Sequence, residues 1–222
     1  MTSIFKTKTN RTLSVIFSFA LLSAVFSSCK KSNDTPALVA SVSVTNVSSV
    51  PQDVYFDNQR ANSSALFYTQ TIGYLNVTGD PTVYFKTSGT ADVNGSASTN
   101  FIAGKFYNVF YTEDKNVLIY ENDRTSPSYG KARIRFVNLS TGVGSSADFG
   151  ISGGAKIVSG LTYKTISAYQ EVDPTKAYSL YTGGSASVLL NIPITLTAGG
   201  IYTLYVSGTT NATVGFKLIA EN

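Results

Sequence analysis

The chain has 222 residues, with no histidine, no tryptophan, a single cysteine and 14% charged residues. The absence of histidine excludes Ser-His-Asp and Cys-His nucleophile systems, and it excludes His-ligated zinc sites. The formal net charge of +4 is concentrated at the N-terminus, because five of the 17 basic residues precede residue 32 and leave 12 basic against 13 acidic residues beyond it. That balance excludes the broad positive surface on which nucleic-acid binding depends.

Residues 1–28 have the order of a bacterial signal peptide. Three basic residues precede an apolar run over 13–26, and small residues then lead to Cys29, the only cysteine. The run has 14 residues, three of them serines, so it is too short and too polar to span a bilayer. The segment that ends at Cys29 resembles the bacterial lipobox. The resemblance implies cleavage before Cys29 and the attachment of two or three acyl chains to it.

Lipid on Cys29 would determine where the protein resides. Each buried methylene contributes about 0.8 kcal/mol, so several acyl chains anchor a protein stably where one does not. We therefore expect membrane attachment through the N-terminal lipid, at the outer membrane, with Lys30 and Lys31 beside anionic headgroups. The polar residues 29–39 are then a flexible tether. The sequence leaves open whether the protein faces the periplasm or the exterior.

The remainder of the chain has the pattern of β-strands. Apolar and polar residues alternate over short runs that end in turn residues, and glycine or β-branched residues interrupt every potential helix. The clearest of these runs are 41–47, 53–57, 82–86, 107–111 and 116–120. This composition favours strands and turns over helices.

The second half of the chain repeats the first at offsets of 92 to 100 residues. Four motifs recur in the same order: 44–48 at 136–140, 53–54 at 148–149, 101–111 at 196–206, and 118–122 at 218–222. This alignment pairs Tyr107 with Tyr202 and Leu118 with Leu218. A period near 95 residues matches a whole small β-sandwich. We therefore predict an all-β protein of two tandem antiparallel immunoglobulin-like β-sandwiches, over 40–122 and 131–222, joined by a linker at 123–130.

The repeated motifs resemble those of the bacterial domain-of-unknown-function family 4397. The resemblance rests on 131–138, on 53–57 and on the two Ala-Gly-x-x-Tyr turns that end at Tyr107 and Tyr202. It implies an exported protein, because members of this family are exported, often carry the domain as a tandem pair and are frequently attached to lipid. The second copy departs from the family pattern at Gly150, where a bulky residue is usual. The family has no assigned activity, so the resemblance implies no catalytic residue.

Carboxylates are the remaining candidates for chemistry. Asp53 and Asp57 share a strand face but lie about 13 Å apart, which is too far for a retaining glycosidase pair. Oxygen ligands for calcium are available at Asp53, Asp57 and Asn58 in the first copy, whereas Asp148, Ser152 and Gly153 replace them in the second. We therefore predict no enzyme activity, no metal and no cofactor.

Exposed aromatic side chains are the remaining candidates for binding. Tyrosine and phenylalanine stack on sugars or anchor protein partners, although in a sandwich without tryptophan they also fill the core. The candidates are Tyr55, Phe67, Tyr68, Tyr74, Tyr163, Tyr169, Tyr178 and Tyr181. The preferred hypothesis is a noncatalytic surface binding or adhesion module with an envelope protein or a glycan as its partner. The alternatives are a structural or assembly component of the outer envelope and a carboxylate-based glycan hydrolase.

Overall fold

The computed structural model describes residues 39–221, so the predicted signal peptide and Cys29 lie outside the described residues. Within the described range there are seventeen strands, one short 3₁₀ turn at Asn211–Thr213 and no α-helix. No helix in this range is therefore long and apolar enough to cross a membrane. The first eight strands are β1 Ala40–Asn46, β2 Gln52–Phe56, β3 Gln59–Arg60, β4 Thr71–Val77, β5 Val83–Thr87, β6 Val93–Ala97, β7 Phe106–Tyr111 and β8 Val117–Asn122. The other nine are β9 Ala132–Ser140, β10 Ala147–Ile151, β11 Lys156–Leu161, β12 Thr165–Ile166, β13 Gln170–Val172, β14 Tyr178–Thr182, β15 Val188–Ile192, β16 Ile201–Gly208 and β17 Gly215–Ala220.

The strands of residues 39–221 form four sheets, two in each half. The first half has an inner sheet, in the order β4-β1-β7-β8, and an outer sheet, in the order β3-β2-β5-β6. The second half repeats this plan with an inner sheet β12-β9-β16-β17, in which β13 also pairs with β9, and an outer sheet β11-β10-β14-β15. The prediction of an all-β fold built from β-sandwiches is confirmed.

One feature of the sheets differs from the antiparallel expectation. β1 pairs with β7 in parallel, and β9 pairs with β16 in parallel, whereas the other pairings among the described strands are antiparallel. A parallel pair needs a long crossover connection. Here the intervening strands of the outer sheet supply that connection. β1 and β7 are therefore not joined by a hairpin, and they can run in the same direction.

Each half encloses its own hydrophobic core between its two sheets. In the first core, Val42, Val54, Phe85 and Val109 are fully buried. The positions equivalent to these four in the second core are also buried and apolar: Ile134, Phe149, Leu180 and Leu204. The strand registers align each pair at an offset of 92 or 95 residues, so the repeated hydrophobic pattern of the sequence corresponds to the same core positions.

The repeated Ala-Gly turn fixes the entry to the last inner hairpin. Gly104 has φ 79° and Gly199 has φ 85°, a region that favours glycine. The hydroxyl of Tyr107 accepts a hydrogen bond from the backbone N–H of Ile102 at 3.1 Å, and Tyr202 accepts the equivalent bond from Thr197 at 3.1 Å. The tyrosine in this motif therefore stabilises the turn that precedes it.

The predicted equivalence of Leu118 and Leu218 is wrong by one residue. Tyr107 lies opposite Glu121 and Tyr202 lies opposite Ala220, so the last strands align at an offset of 99 rather than 100. A slip of one residue moves a side chain to the other face of a sheet. Accordingly, Leu118 packs outside its own sandwich core, whereas Leu218 packs inside the second core. Alignment by residue identity matched two Leu-Ile pairs that point in opposite directions.

The departure at Gly150 has a steric cause. Gly150 is equivalent to Tyr55, but the neighbouring strand β11 approaches it closely through an irregular register. A Cβ atom at this position would lie 2.7 Å from the carbonyl oxygen of Ala155. Only glycine fits there. Glycine replaces the usual bulky residue because β11, which is longer than the edge strand β3 of the first half, covers the edge of the second outer sheet.

Candidate functional site

The two inner sheets face each other, and an apolar cluster lies between them. The cluster joins Val47 and Phe110 of the first half to Val137, Leu139 and Tyr205 of the second. The rings of Phe110 and Tyr205 are 5.4 Å apart between centroids, and the two residues occupy equivalent positions. Contact between equivalent residues indicates a local pseudo-two-fold relation, like the self-complementary surface of a homodimer.

A buried polar network adjoins this cluster. The guanidinium of Arg135 lies 3.2 Å from the carboxylate of Glu221, with side-chain exposures of 4% and 0%. Arg135 also donates to Thr203 Oγ1 at 2.7 Å and to the carbonyl oxygen of Glu121 at 2.8 Å. Asn108 donates to Glu221 at 2.8 Å. A buried charge pair needs such additional hydrogen bonds to offset its desolvation, and both halves of the chain provide them.

The network draws equivalent positions from both halves, but only the second half carries charges. The corrected register aligns Ser43, Tyr74, Asn108 and Asn122 with Arg135, Tyr169, Thr203 and Glu221, respectively. Asn122 donates to the hydroxyl of Tyr74 at 2.9 Å, while the hydroxyl of Tyr169 donates to Glu221. Burial, together with Glu221, raises the pKa of Tyr74, and burial raises the pKa of Tyr169 well above its usual range. These tyrosines are therefore neutral donors and acceptors in the network.

A cleft of about 390 Å³ opens at one end of the interface between the halves. Its lining comes from the ends of β9 and β16 and from loops of both halves: Val47, Ser49, Tyr68, Glu113, Leu139, Thr141, Tyr163, Gly208, Thr209 and Thr213. The volume lies within the roughly 300–1,000 Å³ of typical ligand sites, which occur preferentially at domain interfaces. This cleft is the candidate functional site.

Two equivalent loops place a tyrosine on each side of the cleft. The side chain of Asn46 donates to the carbonyl oxygen of Leu66 at 2.8 Å, and that of Asn138 donates to Leu161 at 2.9 Å. Each loop then turns through a residue with positive φ and returns to the same asparagine, because the N–H groups of Thr69 and Lys164 each donate to the asparagine carbonyl oxygen at 2.7 Å. The repeated asparagine therefore holds the loops that carry the tyrosines, Tyr68 and Tyr163.

Both tyrosines reach across the interface. The hydroxyl of Tyr68, in the first half, lies 2.8 Å from that of Ser207 in the second. The hydroxyl of Tyr163, in the second half, donates to the carboxylate of Asp114 in the first at 2.8 Å. Burial, together with the hydrogen bond to Asp114, raises the pKa of Tyr163 to about 12. Tyr68 keeps 41% of its surface exposed, so its ring is fixed at the hydroxyl while much of its surface remains open to solvent.

Both carboxylates at the cleft already accept hydrogen bonds, although only Asp114 has a basic partner. Both carboxylate oxygens of Glu113 accept hydrogen bonds from Ser49, one from its N–H and one from its hydroxyl, each at 2.6 Å. Asp114 accepts from the ammonium group of Lys164 at 2.8 Å. Burial acts to raise the pKa of Asp114, but the hydrogen bonds from Lys164, Thr112 and Tyr163 outweigh it and hold the pKa well below its usual range. Both carboxylates are thus stabilised acceptors.

The carboxylates considered for catalysis or metal binding have structural roles. Asp53 is buried and accepts hydrogen bonds from Arg60 at 2.6 Å and from the turn after β5, while the equivalent Asp148 accepts from Gly160 and Gly184. Asp57 accepts from the N–H of Thr82. Within residues 39–221, no group of three or more acidic or cysteine side chains is placed to hold a metal ion.

The eight aromatic candidates separate into different environments. Tyr178 and Tyr181 are buried in the second half, Tyr74 and Tyr169 belong to the polar network, and Tyr55 lies beneath Lys86. The three that remain are Phe67, Tyr68 and Tyr163. Phe67 is 53% exposed and precedes Tyr68 directly. The sequence did not indicate Glu113 or the hydroxyl residues of the cleft, which adopt their positions only when the two halves meet.

Residues 40–147 match the family described as Domain of unknown function (DUF4397). The match covers every strand of the first half, the linker and β9 of the second half. The resemblance to this family that the sequence motifs indicated is therefore confirmed over residues 40–147. No curated protein matches the chain.

Several solved structures are similar at low identity. One is the CBM26-family module CBMbc of Eubacterium rectale Amy13K in complex with maltoheptaose, with 15% identity, a TM-score of 0.27, and coverage of 82% of this chain and 97% of that one. Another is a streptococcal virulence factor that binds alpha-glucan, with 10% identity, a TM-score of 0.28, and coverage of 78% and 98%. A third is the multi-modular glycogen-degrading pneumococcal virulence factor SpuA, with 8% identity, a TM-score of 0.26, and coverage of 79% and 21%. Similarity at this level does not bear on the ligand or activity of the present chain.

Proposed function

We propose that this protein is a lipid-anchored, noncatalytic binding module of the cell envelope whose ligand occupies the cleft between the two sandwiches. The observation that carries the proposal is the cleft itself, where Tyr68 and Tyr163 come from equivalent loops of the two halves and meet around an apolar floor. Aromatic side chains held at such positions contribute strongly to binding, because they present a large surface at a small entropic cost.

The noncatalytic part of the proposal rests on the chemistry available at the cleft. The chain contains no histidine. The carboxylates of Glu113 and Asp114 already accept hydrogen bonds from Ser49, Lys164 and Tyr163. Asp114 has a lowered pKa, which is the opposite of what a general acid needs near neutral pH. These side chains support recognition of a ligand rather than proton transfer to it.

Attachment to the membrane is proposed from the sequence alone. Cys29 follows a signal peptide of the expected order and precedes a tether of about ten residues. Such a tether has a root-mean-square length of roughly 15–20 Å, which allows the folded part to meet a ligand close to the lipid surface. Lipid on Cys29 would thus keep the cleft within the envelope or at its outer face.

The proposal is tested by comparing two tyrosine substitutions in the purified, detergent-solubilised chain. Tyr68→Ala removes the open wall of the cleft, whereas Tyr129→Ala removes a fully exposed tyrosine from the linker and serves as the matched control. Binding to envelope protein fractions and to a glycan array should fall about tenfold or more with Tyr68→Ala and remain unchanged with Tyr129→Ala. A bound ligand should be recovered chemically intact. Equal binding by both variants, or turnover abolished by one Asp→Asn change, would contradict the proposal.

A second candidate function, an assembly component that binds other proteins, is favoured by the outer-sheet edges. β6 and β15 are the last strands of the two outer sheets, and among the described strands each pairs on one side only. Their equivalent first residues, Val93 and Val188, are 52% and 45% exposed. An apolar edge strand can pair with a strand from a partner protein. Val188→Lys should then abolish capture of envelope protein while leaving binding that depends on Tyr68 intact.

A further inference from the structure

The chemistry of the cleft limits the class of ligand it can hold. Resting on the proposed function, we infer that the cleft binds a neutral sugar, with one face of a sugar ring on Tyr68 and its hydroxyl groups on the polar rim. The rim consists of hydroxyl side chains and one carboxylate: Ser49, Thr141, Thr209, Thr213 and Glu113. A sugar ring has the complementary character, with apolar C–H groups on its faces and hydroxyl groups around its edge.

The charges at the cleft disfavour an anionic ligand. Glu113 lines the cleft, Asp114 lies beside it, and none of the lining residues from the described range 39–221 is lysine or arginine. Lys164 is the basic side chain next to Tyr163, and its ammonium group is bound to Asp114 at 2.8 Å. An acidic sugar or a phosphorylated ligand would therefore meet unpaired negative charge, which costs binding free energy. A neutral ligand meets no such penalty, and its hydroxyl groups can donate to Glu113.

The aromatic wall is fixed before a ligand arrives. Tyr68 is held at its hydroxyl by Ser207 and at its backbone by the loop that Asn46 anchors. A side chain held in its bound orientation loses little entropy on binding. The apolar floor of Val47 and Leu139 lies between the two tyrosine-bearing loops. The ring of Tyr68 and this floor together provide the apolar surface that a sugar face requires.

The two walls of the cleft differ, so a bound sugar ring would have one preferred orientation. Glu113 in the first half is equivalent to Gly208 in the second, where φ is 116° and a Cβ atom would lie 2.3 Å from the carbonyl oxygen of Thr213. The second wall therefore cannot carry a side chain at this point and offers the hydroxyl of Thr209 beside it. A bound ring would direct donating hydroxyl groups toward Glu113 and meet only hydroxyl side chains on the opposite side.

Affinity electrophoresis of the detergent-solubilised chain tests this inference. Gels would contain one of three neutral polysaccharides (a glucan, a mannan or a xylan) or the acidic polygalacturonate. We expect at least one neutral polysaccharide to retard the chain and polygalacturonate to have no effect. Retardation should persist in 0.5 M salt, since it does not depend on charge. Tyr68→Ala should weaken it about tenfold, and Tyr68→Phe, which keeps the ring, should largely retain it. Circular dichroism of each variant confirms that it is folded.

Glu113→Gln distinguishes the ligand classes further. For a neutral sugar, loss of the carboxylate should leave affinity unchanged or reduce it a few-fold, whereas an acidic ligand would bind more tightly once the negative charge is removed. Retardation by polygalacturonate alone, or by none of the four, overturns the inference. In that case, Tyr68-dependent capture of an envelope protein would leave the proposed function standing, whereas the absence of any Tyr68-dependent binding would remove both.

Discussion

Substitution of Arg135 by methionine should strongly destabilise the protein. Arg135→Met retains much of the apolar side-chain volume but leaves Glu221, whose side chain is fully buried, without its cation. Asn108 still donates to that carboxylate at 2.8 Å, and Thr203 and Tyr169 also remain as donors. Neutral donors do not replace a full positive charge at a fully buried site. Breaking a buried pair in this way costs about 3–5 kcal/mol, a large fraction of the roughly 5–15 kcal/mol that stabilises a typical domain.

A double variant separates the charge effect from the packing effect. Arg135→Met with Glu221→Gln removes both charges and keeps an amide that can accept from Thr203 and Tyr169. Its free energy of unfolding should recover at least half of the loss, because no uncompensated charge remains. Urea titration followed by far-UV circular dichroism measures both variants, and the midpoint and slope together give the free energies. If the single variant costs less than about 1 kcal/mol, or the double variant costs as much as the single, then the network does not depend on its charges.

Three further predictions concern separate parts of the chain. Tyr205→Phe should raise the free energy of unfolding by about 1 kcal/mol, because the Tyr205 hydroxyl is buried without a hydrogen-bond partner in the described structure. The equivalent residue of the first half is already phenylalanine, Phe110. A lower urea midpoint for the variant would contradict this prediction. Asp114 has a lowered pKa in the folded state, so its contribution is complete above its ordinary value of 3.8 and is lost as the pH falls through the folded value. Between pH 6 and pH 2, the melting temperature of the parent chain should therefore fall more than that of Asp114→Asn, and parallel curves would refute the assignment. Cys29→Ala should abolish acyl labelling and move the protein out of the detergent phase, whereas unchanged palmitate incorporation would exclude lipidation at this residue.

The repeat could be predicted from the sequence because its strongest motifs have local causes. Gly104 and Gly199 are required by positive φ, and Tyr107 and Tyr202 stabilise those turns from five residues away in each copy. Local constraints of this kind keep residue identity visible after the rest of a repeat has diverged. No comparable constraint acts on β8 and β17, where a Leu-Ile pair is compatible with either face. The alignment there therefore slipped by one residue.

The buried network could not be predicted because its residues look like the solvent side of a half-exposed strand. Ser43 alternates with Val42 and Val44, and Arg135 alternates with Ile134 and Phe136. In an antiparallel sheet with one wet face, that pattern normally places the polar residues in water. Here both faces of the inner sheets are covered, one by the outer sheet and the other by the opposite inner sheet. Burial of the polar positions depends on how the two halves pack, which alternation along one strand does not reveal.

Only part of the cleft could be predicted from the sequence. Tyr68 and Tyr163 were among the aromatic candidates, and their separation of 95 residues matches the central offset of the repeat. Each also precedes a residue with positive φ, Thr69 or Lys164, which the sequence does not mark with glycine. What remained hidden was that equivalent loops of the two halves would meet. That meeting is a consequence of the pseudo-two-fold packing of the inner sheets.

Divergence between the two halves favours their pairing within one chain. Two copies of the second half packed through the same surface would place two arginines and two glutamates in one buried cluster, and each charge would add its own desolvation cost. The first half instead presents Asn108 and Asn122, whose amides donate to Glu221 and accept from Arg135. A single ion pair is thereby completed by neutral partners from the other half. The same divergence places Glu113 in the first half where the second half has Gly208, and both residues line the cleft. The cleft is therefore asymmetric. An asymmetric cleft can orient a ligand that has two different ends, which two identical copies could not do.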